Sequence, residues 1–130
     1  SQDLERIGDL AKGNAKKILP WPENLPEELL KSFNRLGSLV SEQLNKVIDS
    51  YIKKSKDIAI EVIHADGNVN DLAYSSIKEA LSFLSKDIKH LEFATNLLFV
   101  GKNLERAGDH ITRIAENIYY LAEGEYYKKK

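Results

Sequence analysis

From Ala94 onward a small residue recurs at every seventh position, at Ala94, Gly101, Gly108, Ala115 and Ala122. Three places after each of the first four stands a large aliphatic: Leu97, Leu104, Ile111 and Ile118. This is a heptad with small residues at a and aliphatics at d, the pattern of a long helix pressed against neighbouring helices. Glycine costs about 1 kcal/mol relative to alanine inside a helix. Two glycines on the a seam therefore read as packing devices that let another helix come close, in preference to hinges.

The remainder of the chain fits the same architecture. Leu29, Phe33, Leu36, Val40, Leu44, Val47 and Tyr51 step by three or four and predict a helix from about Pro26 to Ala65, roughly 60 Å long at 1.5 Å per residue. The stretch "HADGNVND", residues 64–71, has glycine among Asx side chains. It predicts a turn and then the cap of a helix over about 70–84. A second break at "SKDI" precedes a helix over about 88–123, ended by Gly124. Upstream, a helix over about 2–18 is stopped by "LPWPENLP", where Pro20, Pro22 and Pro26 remove backbone donors and disfavour helical dihedrals. The expectation is all-α: an antiparallel three-helix bundle, up-down-up in the spectrin-like manner, with an additional N-terminal helix.

Composition narrows the function classes. The 130 residues carry a formal charge of -1, which gives no general footprint for nucleic acid or a membrane surface. The run Lys128–Lys130 reads as a solvated tail. Cysteine is absent, so disulfides and thiolate metal sites are excluded. No apolar run reaches the ~20 residues of a membrane helix, and a cytoplasmic location is expected. Methionine is absent even at position 1, from which an upstream part of the protein is expected.

One phrase occurs twice: "LERIGD" at 4–9 and "LERAGD" at 104–109. In the heptad frame Glu105 falls at e and Asp109 at b, with Glu116 one heptad beyond Asp109. These carboxylates, and Glu5 and Asp9 in the first copy, are expected to face away from the seam. Spacing alone fits an ordinary solvated face with Asp109 paired to Arg113 one turn on. The repetition of so specific a string in two otherwise divergent helices argues for a role.

The segment "LLFVGKNLERAGDHITRIAENIYYLAEGE" resembles the signature helix of the PhoU family, whose usual form reads close to "ARNLERIGDHATNIAE". "LERIGDLAKGNAKKI" is similar to the matching helix of that family's first repeat, and "DIAIEVIHADGNVNDLAYSSIKEAL" to its middle segment. The resemblance implies two tandem three-helix repeats. Residues 1–18 would be the last helix of the first repeat, 19–25 a proline-rich linker, 26–124 the complete second repeat and 125–130 a tail.

The function implied is negative regulation of phosphate uptake and of the phosphate regulon, without catalysis. The implied partners are the phosphate ABC transporter and a sensor histidine kinase, with no nucleic acid, membrane association only through partners, and a homodimer. A multinuclear iron or zinc cluster is also implied, held here by Glu105, Asp109, Asp66 and Asn70. Asn70 and Asn68 stand where the family carries acids, and Arg113 replaces an asparagine. These changes remove negative charge and add a competing cation, so a metal-free form is expected. Glu105, Arg106, Asp109 and Arg113 then form the expected partner-binding face.

Two other readings compete. A di-iron carboxylate enzyme would use Glu61 and His64 as one inward Glu-x-x-His unit, with only Asp87 to His90 approaching a second. A metal-free adaptor would use Trp21 and the aromatics of "YYLAEGEYY" as contacts.

Overall fold

A computed structural model describes residues 27–86 and 91–128. The expected helix over 2–18, the linker 19–25 with Trp21, and the residues 87–90 that include the rest of "SKDI" and His90 lie outside the described residues. Three helices account for nearly all the rest: α1 Glu27–Lys53, α2 Lys56–Lys86 and α3 Leu91–Glu123.

Residue pairs fix the directions. Ser32 on α1 meets Ser76 on α2. Gly101 and Gly108 on α3 meet Ile77 and Val69 on α2, so numbers rise along one helix as they fall along the other. Phe33 lies near Gly101 as well. Thus α2 is antiparallel to both neighbours, while α1 and α3 run the same way, giving the expected up-down-up bundle.

The first turn falls earlier than the asparagine-glycine cluster suggested. Lys54 adopts φ 52°; its N–H donates to Tyr51 O at 3.3 Å, and Ser55 N–H donates to Ser50 O at 3.0 Å. These two bonds form a Schellman C-cap with Lys54 in the left-handed position usually taken by glycine. Ser55 then caps α2, its Oγ accepting from Ile58 N–H at 3.3 Å. Ser50 Oγ braces the turn by donating to Ser55 O at 2.8 Å.

Residues 64–71, expected to form a turn, are helical throughout. Packing overrides local propensity there. Val62, Ile63, Val69 and Ala73 are all buried along one face of α2, and Val69 fills the space left by Gly108. Unwinding this stretch would expose that line, at roughly 1.5–3 kcal/mol per large aliphatic.

The buried line of α1 also corrects the expected stripe. Leu29, Phe33, Leu36, Val40, Gln43, Val47 and Ser50 are buried, whereas Leu44 is half-buried and Tyr51 is 71% exposed. Two successive steps of four rotate a stripe off its contact line, so the bundle keeps its three-four alternation and accepts Gln43 and Ser50 in the seam. Ser32 and Ser76 share a buried Oγ–Oγ hydrogen bond of 2.6 Å. Gln43 Oε1 is buried and has no hydrogen-bond partner among the described residues.

The core has two lobes. One is built on Leu36, Val47, Val62, Val69 and Ile111, the other on Leu29, Phe33, Ala80, Phe93 and Leu97; half-buried Leu104 packs against both. At the far end Lys56 Nζ meets Glu123 Oε1 at 2.6 Å, joining the start of α2 to the end of α3. Gly124, with φ 77°, ends α3 and donates its N–H to Tyr120 O at 2.8 Å. No helix among the described residues is long and apolar enough to cross a membrane.

Candidate functional site

The glycines of α3 determine what faces what across the α2–α3 seam. A Cβ on Gly101 would stand 2.9 Å from Ile77 Cγ1, and one on Gly108 would stand 2.8 Å from Val69 Cγ1. Both are closer than real Cβ atoms come, so the packing reading of these residues holds. Of the heptad positions, Ala94, Gly101, Gly108 and Ala115 are buried while Ala122 is exposed.

Asp66 and Asn70 flank Val69 on α2. Seating Val69 in the Gly108 notch therefore carries both polar side chains to the edge of the seam, opposite Asp109 and Thr112. Thr112 Oγ1 lies 3.0 Å from Asp66 Oδ1 and 3.0 Å from Gly108 O, so its one proton serves either acceptor. Asn70 Nδ2 donates to Asp66 Oδ2 at 3.5 Å. Glu105 is half-buried, with Oε1 3.4 Å from Lys102 Nζ.

Asp109 is exposed at the rim, yet its carboxyl is held above the usual carboxylate range. Partial burial is the main cause, followed by the negative charges of Asp66 and Glu105; His110 and Arg113 pull the other way. Asp66, Glu105 and Asp109 thus share one acidic patch, with Arg106 exposed on the same helix. The acids lie outside the core, as their e and b positions require.

Thr112 is the member that the sequence reading passed over. It stands one heptad after Glu105 at the same e position, and that register was enough to place it on the patch.

A multinuclear cluster takes several carboxylate oxygens with open coordination positions. Both oxygens of Asp66 already accept hydrogen bonds, and Asn70 presents its amide N–H to that carboxylate. Among the described residues no three His, Cys, Asp or Glu side chains gather closely enough to hold one ion. Asp66, bonded to Asn70 and Thr112, thus joins Glu105 and Asp109 in one acidic face along the α2–α3 seam.

Glu61 and His64, the described residues of the di-iron enzyme reading, are exposed, whereas a di-iron centre needs both inside the bundle. His64 has Nε2 2.7 Å from the Tyr127 hydroxyl. Tyr127 also packs edge-on against Tyr119, with ring centroids 5.2 Å apart. Tyr120 stacks on Tyr126 at 4.6 Å. The C-terminal aromatics are therefore engaged with one another and with α2.

Residues 33–118 match the PhoU domain, which spans all three helices and the acidic face. The phosphate-specific transport system accessory protein PhoU homolog of Rhizobium meliloti (strain 1021) is 37% identical over 105 residues, 80% of this chain and 44% of the relative. The protein of the same name from Caulobacter vibrioides (strain NA1000 / CB15N) is 40% identical over 107 residues, 82% and 46% of the respective chains. The chain spans less than half the length of these curated relatives. The crystal structure of the phosphate transport system regulatory protein PhoU from Streptococcus pneumoniae superposes with a TM-score of 0.84 at 31% identity, covering 98% of this chain and 60% of that one. With the bundle, the glycine-notched third helix and its outward acids all falling inside the matched span, the chain belongs to the PhoU family.

Proposed function

We propose that this chain acts in the regulation of phosphate transport by binding partner proteins, restraining phosphate uptake and the phosphate regulon when phosphate is plentiful, and that it performs no catalysis. The relatives' names, accessory and regulatory proteins of phosphate transport systems, support the reading. The observation that carries it is the PhoU-domain match over residues 33–118, a span that includes the acid phrase of α3. The expected partners are the phosphate ABC transporter and the sensor histidine kinase, met in the cytoplasm by a homodimer.

The contact face is Glu105, Arg106, Asp109 and Arg113, continued on α2 by Asp66 and Asn70. Alternating carboxylates and guanidinium groups give a partner both signs to match, which favours orientation and partner choice over bulk affinity. The test is the double change Glu105→Ala with Asp109→Ala in the complete chain. Phosphate uptake is expected to escape restraint while helix content and melting temperature stay nearly unchanged. Intact regulation would overturn the proposal, and loss of folding would make the acids structural.

A further inference from the structure

The chain does not leave the bundle where α3 ends. Gly124, in the left-handed conformation at φ 77°, turns residues 125–128 out of the helix. The segment folds back over the seam. Tyr126 stacks on Tyr120 with ring centroids 4.6 Å apart. Tyr127 crosses from α3 to α2: its ring stands edge-on to Tyr119 at 5.2 Å and to His64 at 5.3 Å, and its hydroxyl lies 2.7 Å from His64 Nε2. It is half-buried against the core lobe that contains Val69 and Ile111.

Tyr127 lands on a poorly helix-forming part of α2. His64 opens the stretch 64–71, in which Asp66, Gly67, Asn68, Asn70 and Asp71 all have low helix propensity. His64, Gly67, Asn68 and Asp71 are exposed, so they add little burial to offset that preference. Val69 in the Gly108 notch, Asp66 with Thr112 and Tyr127 on His64 tie the stretch to α3 and its tail. Segments of low local stability open without the rest of the domain. This one supplies Asp66 and Asn70 to the acidic face, so its opening would take both away from Glu105 and Asp109.

We propose that the Tyr127 clasp governs the acidic face: docked on His64 it keeps residues 64–71 helical, and when it lifts, that stretch opens and the face comes apart. Its regulatory meaning rests on Glu105 and Asp109 being a partner-contact face; the coupling between clasp and stretch does not. Such coupling is reciprocal. A partner that grips the assembled face therefore tightens the clasp, and a contact that pulls Tyr127 away weakens the face.

Residue-resolved amide hydrogen exchange in the complete chain reads the coupling directly. Tyr127→Ala removes both edge-on ring contacts, and their joint loss should speed exchange across residues 64–71 by about tenfold, while α1 amides from Phe33 to Val47 keep their rates. Tyr127→Phe, which keeps the ring contacts, should retain most of the protection. Gly67→Ala added to Tyr127→Ala should restore protection by raising helix propensity, since its methyl meets open space among the described residues. Unchanged exchange at 64–71 in Tyr127→Ala would overturn the proposal. So would an equal acceleration in all three helices, which would make the tail a general staple. The double change Glu105→Ala with Asp109→Ala tests the contact face separately: if phosphate uptake stays restrained there while Tyr127→Ala still opens 64–71, the contact-face reading fails and the clasp stands.

Discussion

Gly67 and Gly108 are both glycines inside helices, but their surroundings give substitution opposite signs. At Gly67 a Cβ meets open space among the described residues, so Gly67→Ala should stabilise by up to about 1 kcal/mol through helix propensity. At Gly108 the new methyl would collide with Val69, whose β-branched side chain has little rotamer freedom. Overpacking costs about 1–3 kcal/mol, so Gly108→Ala should lower stability despite the same propensity gain. Urea denaturation of the two variants checks the opposite signs. Asp109 supplies a pH signature. Its folded-state carboxyl holds its proton to higher pH than the unfolded chain does. The stability it contributes is therefore complete below the ordinary carboxylate range and is lost as pH rises through the raised value. Asp109→Asn should flatten that decline and leave the protein no less stable at neutral pH, as melting temperatures across the acid range would register.

For the individual helices, the turn between α1 and α2 shows how far local sequence speaks. Periodicity revealed the helical character of residues 27–53 and 91–123, because their buried positions recur with the helix period. It did not reveal the break at Lys54, since a lysine in the left-handed conformation carries none of the glycine or asparagine signal that marks such a cap. Ser55 was the available clue, a capping side chain two residues before Asp57. Ser55→Ala should cost about 1 kcal/mol, measurable by thermal denaturation, whereas alanine at Ser75, exposed within α2, should change little. "HADGNVND" misled for the converse reason: its residues favour a turn in isolation, and only Val69 seated against α3 keeps them helical. The candidate site inherited both outcomes. Glu105 and Asp109 were legible from the heptad, but the way Asp66 meets Thr112 depends on a continuous α2 and could not be read from spacing.

Across the whole molecule, the seam is less oily than its pattern suggests. Gln43 is 4% exposed and its Oε1 lacks a partner among the described residues, while Ser32 and Ser76 satisfy each other. A buried unsatisfied polar atom costs roughly 1–3 kcal/mol, so Gln43→Leu should raise the denaturation midpoint. A fall would show that the glutamine side chain has bonding that matters more than its burial. The satisfied serine pair sits near one end of the bundle, and the turn braced by Ser50 lies at the other.

The Gly108 notch has a further consequence. With no side chain of its own, that position lets the carboxyls on two separate rods come near enough to feel each other, so the missing methyl works as a spacer of zero thickness. Widening the gap would let solvent in between the charges and return Asp109 toward ordinary acidity. Mechanical fit along the dry side of the helix thereby sets the electrical character of its wet side.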